Sequence, residues 1–480
     1  MSDAAVLAAP VSSPARWWRS PAGLILVCAL ALGLASGRAA GSGSKAAVVL
    51  PVAAGVGLAL CVLAVRRFST FVMVMLVLRS GVDLAKLSGS TTGTTQAAGN
   101  RALDPSSLFA LVFLAASGLW LVRELQTKGV SLSRTDRALV VFLGAAFISV
   151  VGSTHPLSSG LEFTRMAAVV VMFVVLERLA AEPGGVRRLL LAVYASAVVP
   201  LVLTAASSLL GRGRVENKGV YTRTIGSFND SNDFGRYLML LIIMGVALYP
   251  HLERRGRRLL GVVVLASAAV IPLTYTRSAI VGAGLGLVVV GLFQSKRLLA
   301  GLVVVGVAAV IVVPGLAGRF SVLTDSQATS GQGNSLAWRL QYWGQVLPLA
   351  NANPLSGIGL AQTQYQTDQQ KQPHNDYLRA YVEMGVVGLA AYLAMLGALI
   401  ALGIRAIQAS ARGTLERGVA VGFLGAAVAY VAVSAVANVM SNVVVLWYFF
   451  AYAAAASAIA GARRGPPRDA PALEPRPIAF

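Results

Sequence analysis

Apolar runs of near-bilayer length recur along almost the whole chain, separated by short basic connectors, and this leaves few folds open. They fall at about 22–37, 46–65, 69–86, 106–122, 137–153, 163–179, 187–210, 233–250, 258–274, 278–294, 297–316, 384–404, 417–437 and 441–462. Lipid offers no partner to backbone N–H and C=O groups, so each run must satisfy its own by folding as a helix. The expectation is an all-α polytopic membrane protein with about 12–14 transmembrane helices and a long extracytoplasmic loop carrying short helices. The run at 69–86, with Arg79, Asp83 and Lys86, and the short runs flanking Ser295 carry the weakest span signals.

Composition supports this and excludes soluble classes. Of 480 residues, 56% are hydrophobic and 12% charged, against about 25% charged in soluble domains. The net charge of +21 does not imply nucleic acid, because the basic residues lie between apolar runs, not on a soluble face. Cys28 and Cys61 sit inside apolar stretches as packing residues. The run after Arg16 and Arg19 reads as an uncleaved first helix, since many spans follow it.

Lysine and arginine in the connectors set the orientation. Arg66-Arg67, Arg123 to Arg137, Arg178 to Arg188, residues 251–258, Lys296-Arg297, Arg405 to Arg417 and Arg463 to Arg468 alternate along the chain and share a side with both termini. That side is assigned to the cytoplasm. The segments 87–105, 211–236, 274–279 and 315–383 then face outward. The chain divides into an N-terminal helix bundle at 1–314, an extracytoplasmic loop at 315–383, C-terminal helices at 384–462 and a disordered tail at 463–480.

Candidate chemistry gathers in these outward segments. The stretch from Asn353 to Leu389 holds His374, placed where a helix is expected to begin and where the dipole disfavours imidazolium, as a base near neutral pH requires. Gly385 and Gly388 are expected to let helices pack closely. Arg277 interrupts an apolar stretch at the turn TYTRSA. It is either an interfacial anchor or a bidentate anion ligand. Leu336, Leu340, Trp343 and Leu347 share a helical face, so this helix should lie on the membrane and roof the site, with Arg339 more a solvated charge than a ligand. Gly357 and Gly359 allow backbone to approach substrate. His155, His251 and His374 are too dispersed to form a metal cluster, and no metal or cofactor is expected.

The pattern His374-Asn375, nine residues, Gly385, two residues, Gly388 resembles the signature of the O-antigen ligase and Wzy-type polymerase family of bacterial envelope glycosyltransferases. The segment Arg223, Gly226, Phe228, Asn232, Asp233 resembles another family stretch, departing from it at Ser227 and Ser231. The resemblance implies a GT-C-like fold and inverting, metal-independent transfer from an undecaprenyl-diphosphate-linked glycan to a glycan or lipid-glycan acceptor. This would occur on the outer face of the bacterial cytoplasmic membrane. It implies His374 as base and Arg277 and Arg223 as diphosphate ligands. Asn375, Tyr377, Arg339, Arg236 and Lys218 are further substrate contacts. The partners are the bilayer and other polysaccharide-assembly proteins, not nucleic acid. Polymerase and ligase share the motif; the span count leans toward polymerase. A lipid-linked-sugar flippase would need several ionisable residues at mid-membrane depth, which are scarce. A dolichol-phosphate-type transferase is disfavoured because the first outer loop, SGRAAGSGSK, lacks a carboxylate. A peptidoglycan-type polymerase resting on an outer carboxylate keeps Asp230, Asp233 and Asp376 as alternatives.

Overall fold

The computed structural model describes residues 45–85, 105–129, 132–211, 214–218, 221–301 and 335–462. The expected first span with Cys28, most of the expected span 297–316, the loop after residue 85 and the tail 463–480 lie outside the described residues. The chain divides into units Met1–Val72 and Met73–Phe480. The site lies wholly in the second.

The described residues form α1 (Lys45–Arg66), α2 (Phe68–Arg79), α3 (Pro105–Lys128), α4 (Arg134–Val151), α5 (Pro156–Ala181), α6 (Gly185–Ala195) and α7 (Val198–Leu210). There follow a hairpin of β1 (Val215–Lys218) and β2 (Tyr221–Thr224), then α8 (Ser231–Leu248), α9 (Arg254–Val270), α10 (Arg277–Gln294), α11 (Ser335–Ala352), α12 (Asp376–Ala409), α13 (Leu415–Ser434) and α14 (Val443–Ala462). Among the described residues, 9 helices are long and apolar enough to cross a membrane. The protein is therefore a polytopic membrane protein, and among the described residues the regular structure is helical but for one hairpin. The expected spans at 46–65 and 137–153 are helical too, as α1 and α4. The expected span at 69–86 is not one helix: α2 stops at Arg79 and only a short 3-10 turn, Val82–Ala85, follows.

α14 is the axis of the second unit. It is apolar all round, as a helix enclosed by others must be, and Trp447, Tyr448, Phe449 and Tyr452 are buried. It packs on α5, α12, α13 and α8. The run 187–210 is one span bent between α6 and α7. Pro200 has no N–H for the Ser196 carbonyl four residues back, and the Ser80 hydroxyl donates to that carbonyl instead at 2.7 Å.

Close helix packing occurs on α10. A Cβ at Gly286 would lie 2.4 Å from Ile243 of α8, and one at Gly425 of α13 would lie 2.7 Å from the Gly286 carbonyl. Small residues there let backbones meet where lipid supplies no hydrophobic drive. Val281, Leu285, Val288 and Leu292 form the exposed outer stripe of the same helix.

Gly385 plays a different part from the packing expected of it. It has φ 67° inside α12, and Val386 N–H donates to the Pro354 carbonyl at 2.8 Å instead of to its own helix. Ile358 N–H donates to the Val382 carbonyl at 2.9 Å and Gly359 N–H to the Glu383 carbonyl at 3.1 Å. The 354–359 segment is thus laid into a break in the helix. A Cβ at Gly357 would sit 2.4 Å from the Glu383 carbonyl carbon, so its freedom serves this contact with backbone.

Candidate functional site: a histidine among cationic side chains

The segments 230–236, 277, 338–343, 371–376 and 438–442 converge at one end of the bundle. α8 runs from this end to the other, where His251 lies against Gly418 of α13. The start of α8 is fixed from two sides. Glu216 of the hairpin accepts from the Ser231 hydroxyl at 2.9 Å, and the Thr276 hydroxyl donates to the Ser231 carbonyl at 3.0 Å. Gly235 leaves room for that turn, since a Cβ there would meet the Thr276 side chain at 2.8 Å. Arg236, on α8, and Arg277, the first residue of α10, are thereby placed on neighbouring elements.

α11 holds the connector that delivers the histidine. Its buried face is Tyr342, Val346 and Ala350, packed on Ile358 and Val382. Leu340 and Leu347 are exposed on its other side, so the helix packs on the start of α12 through one face only. The Tyr342 hydroxyl donates to the Lys371 carbonyl at 2.5 Å and the Trp343 indole N–H to the Pro373 carbonyl at 2.6 Å.

The three residues after Pro373 divide the local work. His374 has φ 53°, a left-handed conformation uncommon outside glycine and costing about 1–3 kcal/mol. It precedes the helix instead of starting it. Asn375 is the N-cap, its side-chain oxygen accepting from Tyr377 N–H at 3.0 Å and Leu378 N–H at 3.1 Å. Asp376, fully buried, accepts from the backbone N–H groups of Val439 at 2.9 Å and Met440 at 3.0 Å. The Tyr377 hydroxyl donates to the Val431 carbonyl at 2.8 Å. Asn375 and Tyr377 therefore hold structure, the former at the helix start and the latter against α13.

Around the imidazole, the Trp338 ring stands edge-on at 5.9 Å and the Asn438 amide reaches Nδ1 at 3.3 Å. Lys371 lies 5.1 Å over Trp338. Burial lowers the His374 pKa to about 4, and the charges of Arg339, Arg236 and Lys371 act in the same direction, with Asp230 opposing. The direction matches the sequence expectation, but the leading causes are burial and arginines, with His374 outside the helix. Arg339 is lowered to about 10, by burial first and then by the charges of Arg277 and Arg236. Arg339 is thus half-buried and not the freely solvated charge expected of it; its buried Nε has no hydrogen-bond partner. Arg236 pairs with Asp233 at 3.4 Å. Arg223 stands opposite Glu216 in the hairpin, beside the 271–274 turn, and is not among the strongest charges on His374. Lys218 pairs through its backbone with Tyr221 at the hairpin tip.

Sequence reading missed a second, wholly buried charge cluster beside this site. Arg379 is paired with Glu162 of α5 at 2.9 Å and with Glu383 at 3.0 Å. The Ser441 hydroxyl bridges Arg379 and Glu162. Glu383 also accepts from Ala361 N–H at 2.8 Å and the Thr363 hydroxyl at 2.9 Å. These ionisable residues lie within about the first two turns of α5 and α12. The signal available was the Arg379/Glu383 spacing of one helical turn. Asn438, Trp338 and Lys371 had no such signal.

One end of this bundle of membrane helices thus sets an imidazole, its pKa lowered by burial, beside arginine side chains. Residues 261–393 match the family Wzy_C, O-antigen ligase. The match includes Arg277, Arg339, His374, Gly385 and Gly388. No curated protein matches the chain.

Proposed function

We propose that the protein transfers a glycan from an undecaprenyl-diphosphate-linked donor to an acceptor sugar hydroxyl in cell-surface polysaccharide assembly. The acceptor oxygen attacks the anomeric carbon, the bond from that carbon to the diphosphate oxygen breaks, and configuration inverts. His374 takes the hydroxyl proton. Arg277 and Arg339, together with Arg236 and Lys371, neutralise the departing diphosphate, which arginine forks bind bidentately. Arg223 borders this site from the hairpin as a further ligand for the donor. The site faces the extracytoplasmic side of the bacterial inner membrane, on the alternation of basic connectors.

The observation that carries this reading is that Arg339, Arg236 and Lys371 surround the buried His374 imidazole, with Arg277 acting in turn on Arg339 and Asp230 as an opposing charge at the histidine. Cations gathered beside a base fit an anionic leaving group and a neutral nucleophile. Among the described residues no three His, Cys, Asp or Glu side chains gather as metal ligands, and the proposed chemistry assigns the leaving-group charge to arginine. Purified protein incubated with a lipid-diphosphate-linked glycan should lengthen or transfer it, read on a gel, with full turnover in excess EDTA. Activity lost in EDTA and restored by Mg²⁺ would overturn the arginine-only account; no transfer to any sugar acceptor would overturn the function.

A further inference from the structure

The turn between α13 and α14 meets the histidine segment at two of its residues, Asp376 and His374. Asp376 fixes the backbone of Val439 and Met440, and the adjacent residue, Asn438, places its amide 3.3 Å from His374 Nδ1. An amide's oxygen and nitrogen exchange places by a half-turn about Cβ–Cγ. With the nitrogen toward the ring, Asn438 Oδ1 is buried without a partner. With the oxygen toward the ring, that acceptor meets an Nδ1–H.

We infer that Asn438 is a positioning residue whose carbonyl oxygen accepts the His374 Nδ1 proton and so leaves the Nε2 lone pair bare to act as base. The inference rests on the reading of His374 as the base. A neutral imidazole carries one N–H, and whichever nitrogen holds it cannot accept another proton. The contact made by the other nitrogen therefore decides whether the ring is useful, the role a carboxylate plays in hydrolase triads. A neutral amide suits this site better than a carboxylate would. The ring must stay unprotonated beside Arg339 of α11, Arg236 of α8 and Lys371 of the connector, with Asp230 as the opposing charge, and a carboxylate at 438 would favour imidazolium. Asp376 serves the same end indirectly, its Oδ2 holding the 439–440 backbone.

The test uses full-length protein in nanodiscs, labelled with ¹⁵N-histidine, the His374 signals being those lost in His374→Gln. At neutral pH the ¹⁵N shifts should show Nδ1 protonated and Nε2 bare, and Asn438→Ala should move the proton to Nε2 or give a mixture. In transfer assays Asn438→Ala should lower kcat roughly 10–100-fold, by loss of the productive tautomer, with donor KM within about twofold, as expected when binding groups are untouched. Asn438→Asp should retain transfer but raise the acid limb of the pH profile by about 1–3 units. Wild-type protein with Nε2 protonated, or shifts unchanged in Asn438→Ala, would overturn the inference even if transfer is robust. The inferred tautomer in a protein that transfers nothing would leave the contact standing and overturn the proposed function instead.

Discussion

Replacing Arg379 by methionine should destabilise the protein strongly, and the structure sets the size of the effect. Arg379 is fully buried, between Glu162 at 2.9 Å and Glu383 at 3.0 Å. Methionine roughly fills the aliphatic volume but leaves both carboxylates without their cation. Breaking a buried pair costs about 3–5 kcal/mol, mainly through the charge left behind. Glu383 retains the Ala361 N–H and the Thr363 hydroxyl, and Glu162 retains Arg165 at 3.1 Å and Ser441, which places the expected loss near the lower end of that range. Combining Arg379→Met with Glu383→Gln removes one uncompensated charge and should recover part of the loss. Unfolding followed by helical circular dichroism in mixed micelles, as denaturing detergent is titrated in, measures both variants. A single variant within about 1 kcal/mol of wild type, the range of an exposed pair, would refute the assignment of this cluster as the clamp between α5 and α12.

Gly385→Ala forces a side chain onto φ 67° and puts its Cβ 2.1 Å from the Leu355 carbonyl oxygen, so it should cost more than the ~1–3 kcal/mol of backbone strain alone. Gly397→Ala, in the same helix with nothing within 4 Å, should be neutral or stabilising by up to about 1 kcal/mol in the same unfolding assay. His374 is lowered from 6.5 to about 4, so between those values the unfolded chain takes up a proton that the folded chain refuses. Its contribution to stability is therefore present at neutral pH and falls as the pH drops through that window, which His374→Gln should abolish. Bound diphosphate offsets the surrounding arginines and stabilises imidazolium, so the acid limb of kcat should lie above that of kcat/KM for donor; coincident limbs would place the donor's charge elsewhere. Gln366→Cys should react with an impermeant thiol reagent on outer-membrane-permeabilised cells, and labelling only after lysis would reverse the orientation.

The spans were legible because the bilayer imposes a length and a polarity on each one, and hydropathy reads both. Hydropathy does not see that Gly385 breaks α12, since the cause is the backbone of residues 354–359, far along the chain. Nor does it distinguish the half of α12 that packs on α11 from the half that spans. The candidate site was legible as residue types, with His374, Arg277 and Arg339 on loops that charge alternation had grouped together. The directions they face were not. Arg339 shares a helix with exposed Leu340 and Leu347, and its turn toward the imidazole depends on how Tyr342 and Val346 pack. Asn375 and Tyr377 carry groups suited to substrate, yet cap and anchor the helix. Asn438 sits in a short uncharged turn, and only Asp376, reaching across from α12, brings it to the ring.

Binding and transfer measured together on two variants test the central claim, a base and an anion site formed by different residues. His374→Ala should bind a lipid-diphosphate analogue nearly as wild type does while slowing transfer roughly 10²–10⁴-fold, the range for loss of a general base. Arg277→Lys keeps the charge but loses the bidentate fork, so it should weaken both analogue binding and turnover. Loss of analogue binding in His374→Ala together with unchanged binding in Arg277→Lys would contradict the account.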